Sequence, residues 1–216
     1  MSCCPPKGYE TLFGERAAKR DAKRYRRKGL DDTAERMVEF LRSRGIEGTA
    51  VLEIGGGVGA VQIELLHAGA ARAVNVELSP AYEEAAHELA AEAGVQERIE
   101  RRIGDVVENG ALAEQADEVV MHRVVCCYPD YDALVGAAAE RTRRALVLSF
   151  PRDRWYMRAG LGVVNLAARL LRWEYRTFVH PPAAIRAAAE RRGLRRALDH
   201  QGRIWEIAAF ERAQAS

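Results

Sequence analysis

Four residues at alternate positions form the most chemically specific stretch of the chain: Glu53, Gly55, Gly57 and Gly59. The apolar residues around Glu53 are typical of a buried parallel strand. The glycines let the backbone turn sharply and approach a ligand without Cβ clashes. A helix predicted to begin near Val58 would point free N–H groups and its positive dipole end at that ligand. The sequence therefore predicts a ligand site at a strand–turn–helix junction.

Two classes of cofactor are compatible with this turn. The dinucleotide fingerprint G-x-G-x-x-A can be aligned on Gly55, Gly57 and Ala60, so a nicotinamide oxidoreductase is formally allowed. Glu53 argues against it, because a carboxylate at the end of the strand repels a pyrophosphate but can hold the ammonium of an amino acid. Glu77 ends the next predicted strand, where an acid hydrogen-bonds ribose hydroxyls in nucleotide-binding folds.

The pattern Glu53-x-Gly55-x-Gly57-x-Gly59 resembles the first motif of the class I S-adenosylmethionine (SAM)-dependent methyltransferases. SAM carries an ammonium, a carboxylate and a sulfonium, and no phosphate. The resemblance implies that Glu77 binds the ribose of SAM and that Asp105 lies near the adenine amino group. The cofactor contacts implied in this way are Glu53, Gly55, Gly57, Gly59, Glu77, Leu78, Asp105, Val106 and His122.

The loop after the fourth predicted strand holds the candidate reactive groups. Ligands of a doubly wound sheet bind beyond the carboxyl ends of the strands, so His122 and Arg123 should face the cofactor. We expect His122 and Tyr128 to be the catalytic residues, with His122 as the base because its unperturbed pKa lies near neutrality. A base is needed only if the acceptor is protonated at neutral pH. The candidate acceptor-binding residues are Tyr9, Tyr25, Cys127, Tyr128, Trp155 and His180, and His180 has a loop anchor as its alternative role.

This exit loop departs from two nucleic-acid-modifying subclasses. It lacks both the Asn/Asp-Pro-Pro-Tyr/Phe motif of the amino-methylases and the Pro-Cys pair of the m5C RNA enzymes. A weaker resemblance, to the magnesium-protoporphyrin O-methyltransferases, rests on chain length, an amino-terminal helical arm and Tyr128-Pro129. Cys127 stands where that family is expected to carry a histidine. The adjacent pairs Cys3-Cys4 and Cys126-Cys127 suit neither a disulfide framework nor a CxxC zinc site, and we assign no metal ligands.

Together these features predict a methyltransferase that uses SAM to modify a small or medium organic molecule. A tetrapyrrole carboxylate O-methyltransferase is one alternative. A basic-armed nucleic-acid-binding or RNA-modifying protein is another, and the missing motifs disfavour nucleic acid as a partner. The acceptor, the atom methylated and the oligomeric state do not follow from the sequence.

Charge is distributed unevenly along the chain. The 216 residues carry a net charge of +2, and the segment from Arg16 to Lys28 holds eight basic residues and one acidic residue. That local charge of +7 leaves −5 for the remainder, which favours docking of the arm on the body. We expect the arm to close over the cofactor and to place Arg24, Arg26 or a neighbouring cation near an anionic acceptor.

The order of predicted elements indicates the fold. Strands alternate with helices from Ala50 to Phe150, and the chain ends in a hairpin that turns near Gly202. This order predicts an α/β fold with a Rossmann-like, doubly wound sheet of about seven strands. The last strand should be antiparallel, and a helical arm should precede the sheet. We predict a single domain over residues 1–216, with residues 1–45 as the arm or lid and residues 46–216 as the core. An Asp32-Thr33-Ala34-Glu35 capping box in the arm and a Ser79 cap in the core should each begin a helix.

The segment 155–173 is predicted to be an amphipathic cap helix with a stripe of Leu161, Val164, Ala168 and Leu171. Its composition also suits an interfacial membrane helix, so peripheral membrane contact is the competing interpretation. The sequence shows neither a secretory h-region nor a transmembrane span, and we expect a cytoplasmic protein.

Overall fold

The computed structural model describes residues 12–173 and 175–213. Seven strands run over Ala50–Ile54 (β1), Arg72–Glu77 (β2), Ile99–Ile103 (β3), Ala116–His122 (β4), Thr142–Pro151 (β5), Leu194–Gln201 (β6) and Trp205–Arg212 (β7). Helices in the described residues include Glu15–Lys28 (α1), Asp32–Ser43 (α2), Ala60–His67 (α3), Glu83–Glu92 (α4), Tyr131–Arg141 (α5), Trp155–Leu170 (α6) and Pro182–Glu190 (α7). The predicted order of strands and helices is confirmed.

The strands form one sheet in the order β3-β2-β1-β4-β5-β7-β6. Strands β1 to β5 are parallel, whereas β7 is antiparallel to both of its neighbours. The chain starts at β1 and extends the sheet in one direction through β2 and β3, then in the other through β4 and β5. This reversal opens a crevice at the carboxyl ends of β1 and β4, the usual ligand position in such sheets. The predicted Rossmann-like fold is confirmed.

Each face of the sheet carries its own apolar layer, because successive side chains of a strand point to opposite faces. Val120 and Val147 pack on one face with α1 to α4, whereas Met121 and Leu148 pack on the other with α5 and α7. The central strands are buried on both faces, which explains their nearly continuous apolar sequence. This rigid core holds the strand ends in fixed positions at the crevice.

The amino-terminal arm lies on the body. Helix α1 buries Ala17, Ala18 and Ala22 in the first apolar layer. On its exposed side, the Arg26 guanidinium donates to Glu92 at 2.6 and 2.8 Å and to Glu88 at 3.1 Å, both on α4. Part of the basic charge of the arm therefore pairs with acidic residues of the body, in the direction that the charge distribution favours.

Three local expectations are corrected. Helix α2 is capped by Asp31, whose carboxylate accepts from the N–H groups of Thr33 and Ala34, because Asp32 is already helical. Ser79 makes no side-chain cap, since its hydroxyl donates to the Phe13 carbonyl at 2.7 Å and ties the arm to the sheet edge. The helix after the glycine turn begins at Ala60, because Gly59 is in the left-handed conformation.

Only part of the predicted apolar stripe of α6 packs on the protein. Ala168 is buried, but Val164 and Leu171 are exposed. The less exposed positions of this helix are Met157, Leu161, Asn165 and Ala168. The helix therefore contacts the body through a narrower and rotated stripe, because its apolar residues cover more than one face.

Candidate functional site

A cavity of about 280 Å³ occupies the crevice at the carboxyl ends of β1, β2 and β4. The glycine turn and Glu77 form its floor, and the arm forms the opposite wall through Asp21, Arg24 and Tyr25 of α1 and the segment 29–31. The arm thus lies where a lid would lie. The residues predicted to bind a cofactor and the arm predicted to close over it meet in one place.

The glycine turn is shaped by close contacts as well as by backbone conformation. Gly55, Gly57 and Gly59 all have positive φ. Gly56 has an ordinary φ, but a Cβ there would lie 2.1 Å from Asn75 Nδ2 and 2.6 Å from the Glu53 carboxyl carbon. The turn therefore needs glycine at four of its five positions, 55, 56, 57 and 59, and the alternating motif accounts for only three of them.

Glu53 lies buried at the base of the turn. One carboxylate oxygen accepts from the Gln62 N–H of α3 at 3.3 Å and lies 3.4 Å from Asn75 Nδ2. Burial raises the pKa of Glu53 to about 8, although these hydrogen bonds and the nearby Arg101 oppose the shift. Near it, the amide oxygens of Gln62 and Asn75 have no hydrogen-bond partner among the described residues. Glu53 itself lines the cavity, and its carboxylate form suits a cation and opposes a pyrophosphate.

Glu77 occupies the end of β2. Its carboxylate accepts from the N–H of Gly57 at 2.8 Å and from the N–H of Ser79 at 3.0 Å. Burial raises its pKa against these hydrogen bonds. The side chain is thus fixed by two backbone donors and lines the cavity as a rigid acceptor.

A smaller cavity of about 70 Å³ adjoins Glu77 and collects the predicted adenine-binding residues Leu78, Asp105 and Val106. Asp105 accepts from the Val107 N–H at 2.8 Å and from the Tyr128 hydroxyl at 2.9 Å. Burial and this hydrogen bond raise the pKa of Tyr128. Tyr128 therefore belongs to the adenine side of the site, and its bound, weakly acidic hydroxyl is not placed to act as a base.

His122 is held between two side chains at the end of β4. Its Nδ1 lies 3.1 Å from the Ser149 hydroxyl, which itself accepts from the Arg123 N–H, and its Nε2 lies 3.4 Å from Asp31. These contacts fit a neutral ring that donates from Nε2 and accepts at Nδ1. Burial lowers the pKa of His122 despite the carboxylate.

Asp31 gathers the charges around His122. Its Oδ2 lies 3.0 Å from Arg123 and 3.2 Å from Arg24. Although burial opposes it, the hydrogen bond from His122 and the charge of Arg123 hold the pKa of Asp31 well below its usual range. Arg123 has a positive φ of 61°, unusual for a residue with a side chain, and stacks over the Trp205 ring at 4.7 Å. The arm and the exit loop are therefore joined by an ionic cluster beside the cavity.

A second cavity of about 460 Å³ lies on the other side of this cluster. Asp31 and Arg123 line both cavities, so they form the wall between them. The second cavity is also lined by Trp205 and by two arginines, Arg36 and Arg203, that make no ion pair among the described residues. It combines an aromatic surface with unpaired positive charge.

Cys126 and Cys127 are both reduced thiols in the turn after His122. Their sulfur atoms lie 3.7 Å apart, and both are near the Arg123 carbonyl. Cys127 lines the main cavity and the adenine-side cavity, whereas Cys126 is packed in the turn. The pair Cys3-Cys4 lies outside the described residues.

The structure separates the predicted acceptor-binding residues. Tyr25 lines the main cavity, but its hydroxyl donates to Glu64 at 2.7 Å. Trp155 is 80% exposed and lines none of the three cavities at this edge, so its role in acceptor binding stays a prediction. His180 is a loop anchor, buried against Phe178 and bonded to the Tyr128 carbonyl at 2.9 Å. Tyr9 lies outside the described residues.

Sequence reasoning missed several residues of the site. Asp31 could not be identified from the sequence, because either Asp31 or Asp32 could cap α2. Trp205 and Arg203 come from the closing hairpin, far from the glycine motif in sequence, and no local pattern links them to it. The one available signal was topological, since the hairpin adds strands beside β5 and returns its turn to the ligand edge.

Residues 52–145 match the family model described as a methyltransferase domain. This segment runs from the glycine-motif strand to β5 and contains every predicted cofactor-binding residue. No curated protein sequence matches the chain at a significant level. The match concerns the cofactor half of the fold and leaves the arm and the closing hairpin without a family assignment.

Solved structures extend the similarity to the whole fold. Magnesium protoporphyrin IX methyltransferase from Synechocystis, with bound S-adenosylhomocysteine (SAH), aligns with a TM-score of 0.74 and 22% identity over 94% of this chain and 97% of that chain. An O-methyltransferase family protein from Burkholderia thailandensis aligns with a TM-score of 0.71 and 15% identity over 95% and 64%. A putative sarcosine dimethylglycine methyltransferase from Galdieria sulphuraria aligns with a TM-score of 0.66 and 14% identity over 86% and 92%. The predicted SAM-dependent methyltransferase is confirmed at the level of domain and fold.

Proposed function

We propose that this chain, which contains a methyltransferase domain on the SAM-dependent methyltransferase fold, transfers the methyl group of SAM to a small or medium organic acceptor. The observation that carries the proposal is the main cavity, where a four-glycine turn, two buried carboxyl groups and the arm surround one space. The carboxylate form of Glu53 suits the ammonium of SAM, and Glu77 suits the ribose hydroxyls. Leu78 and Val106 enclose the adenine side, with Asp105 at its edge.

Methyl transfer from a sulfonium is an in-line displacement, in which orientation of the two reactants supplies much of the acceleration. The rigid strand ends orient the cofactor in this proposal, and the arm excludes water from the cavity. His122 is the candidate base because it lines the main cavity, and burial lowers its pKa and so favours the neutral ring. It can accept a proton only when one of its present contacts with Ser149 or Asp31 breaks, so acceptor binding must rearrange this cluster.

Calorimetry with SAH tests the cofactor assignment. Replacing Glu77 with Gln keeps the size of the side chain but removes its charge, and we expect the affinity for SAH to fall by about 1–3 kcal/mol. Glu118→Gln is the matched control, because Glu118 is an equally buried acid at the opposite end of β4 and lines none of the cavities. Equal losses of SAH affinity in both variants would show that Glu77 affects binding only through the stability of the fold.

A carboxylated aromatic acceptor, such as a tetrapyrrole carboxylate, is the second candidate function. The second cavity favours it, because Arg36 and Arg203 are unpaired and Trp205 offers an apolar face. A carboxylate acceptor also needs no base, which fits a His122 already engaged in hydrogen bonds. Loss of product with Arg36→Gln and Arg203→Gln, at unchanged SAH affinity, would support this acceptor. Equal rates with an uncharged ester or amide analogue would contradict it.

Nucleic acid is not favoured as an acceptor. Arg26 pairs with Glu88 and Glu92 of the body, and Arg24 pairs with Asp31 of the arm, so these cations are already engaged within the protein. An affinity for RNA that falls steeply with increasing salt concentration would be needed to support a nucleic-acid acceptor.

A further inference from the structure

Helix α6 exposes an apolar surface that no described part of the chain covers. Seven of the nine large exposed hydrophobic residues in the described part of the chain lie between residues 155 and 171. They include Trp155, Val163 and Leu170, which are 80%, 67% and 76% exposed. A contiguous apolar surface of this kind marks an interaction site, because scattered single residues are normal but clusters are not.

The apolar residues are sorted around the helix. With a turn of about 100° per residue, the exposed apolar residues of the helix fall within an arc of about 180°. The less exposed stripe from Met157 to Ala168 covers the adjacent arc, and Arg158 and Arg169 lie at the boundary between the two. The helix is therefore attached to the protein by one edge and presents the opposite, wider face to its surroundings.

The helix itself carries only positive charges, and the acidic residues Asp153 and Glu174 flank the segment 154–173 on its two sides. The segment 154–173 contains four arginines and no acidic residue. Arg158 is neutralised by Asp153 at 2.6 and 2.7 Å, but Arg154, Arg169 and Arg172 make no ion pair among the described residues. A second copy of the chain would bring these like charges together, whereas an anionic lipid surface would neutralise them.

We propose that helix α6 binds the surface of an anionic lipid bilayer and lies in its plane. A wide apolar face, an interfacial tryptophan and arginines at the rim are the features that hold a helix at the boundary between headgroups and acyl chains. No helix in residues 12–173 or 175–213 is long and apolar enough to cross a membrane, so the attachment is peripheral.

The bilayer face borders the second cavity. The Tyr156 hydroxyl donates to the Arg203 carbonyl at 3.2 Å, and Arg203 and the half-exposed Ile204 line that cavity. Bound in this way, the protein would turn the mouth of the cavity towards the lipid. This orientation would give an acceptor dissolved in the membrane a short path to the site, a role that rests on the proposed function.

Vesicle flotation of the full-length protein tests the proposal. We expect flotation with phosphatidylcholine–phosphatidylglycerol vesicles and much weaker flotation with phosphatidylcholine alone. Leu166→Glu with Leu170→Glu should reduce the bound fraction about tenfold or more, because it places two charges within the apolar face. The matched control is Ile103→Glu, which changes another exposed hydrophobic residue, 41% exposed on β3, and should bind as the wild type does.

Three results would overturn the proposal. The first is wild-type protein that stays at the bottom of the gradient with both lipids. The second is a double variant that floats as well as the wild type. The third is a wild-type dimer in light scattering that becomes a monomer in the double variant. SAH calorimetry of the double variant checks that it is folded, since α6 does not line the cofactor cavity. In the wild-type protein, normal SAH binding without flotation on either lipid would refute the membrane face and leave the methyltransferase assignment intact.

Discussion

The protonation of Glu53 should couple SAH binding to pH. In the ligand-free protein, burial raises the pKa of this carboxyl to about 8, so about nine in ten molecules carry the proton at pH 7. A ligand ammonium is held by the carboxylate form. Binding should therefore release a proton from Glu53, and the affinity should rise with pH.

The size of the effect follows from the same pKa. Below pH 8 the fraction of ionised Glu53 rises about tenfold for each pH unit, and above it the fraction levels off. The dissociation constant for SAH should consequently fall about 50-fold between pH 6 and pH 8, which corresponds to about 2.3 kcal/mol. The ammonium of SAH stays protonated over this interval, so the ligand itself contributes little.

Isothermal calorimetry measures both the affinity and the proton. Titrations at pH 7 in buffers of different ionisation enthalpy should show release of about 0.9 proton per SAH bound. Glu53→Gln is the control, because glutamine can still accept from the Gln62 N–H but cannot titrate. Its affinity should be weaker than that of the wild type at pH 8 and flat with pH. A flat profile for the wild type, or an equal slope in the variant, would refute the coupling.

Other consequences are testable by unfolding and binding. Glu53→Gln should raise the free energy of unfolding of the ligand-free protein by about 3 kcal/mol at pH 7 in denaturant titrations, because wild-type stability is lost as pH rises from the unfolded pKa of 4.5 towards 8. Gly56→Ala should weaken SAH binding at least about tenfold through its clash with Asn75, whereas Gly162→Ala, with no atom within 4 Å, should stabilise α6 by about 0.5–1 kcal/mol. Asp31→Asn keeps the helix cap but loses the ionic cluster, and should lower the free energy of unfolding by about 1–2 kcal/mol in denaturant titrations. Arg26→Ala should lower the free energy of unfolding by less than about 1 kcal/mol, since the ion pairs of Arg26 with α4 are exposed.

The fold and the cofactor half of the site could be predicted because their signals are local. The glycine turn, Glu77 and Asp105 each follow directly from a strand whose apolar sequence shows where it ends. Parallel strands bring such ends together at one edge, so sequence spacing was enough to assemble them. The register of single residues was harder, as the shift of the α2 cap from Asp32 to Asp31 shows.

The acceptor half of the site depends on contacts that no spacing encodes. Asp31, Arg123 and Trp205 come from the arm, the exit loop and the hairpin, and only the folded sheet brings them together. For α6, the amphipathic sequence predicted the helix but not the partner of its apolar face. Periodicity identifies an apolar face of a helix, but the packing of neighbouring elements decides whether that face is covered.

The central claim is that the cavity between the glycine turn and the arm binds SAM. A crystal structure of the protein with SAH tests it most directly. We predict density for SAH in this cavity, with the amino group at the end near Glu53, the ribose hydroxyls hydrogen-bonded to Glu77 and the adenine between Leu78 and Val106. Density for SAH in the second cavity instead, or none in the main cavity at saturating SAH, would contradict the account.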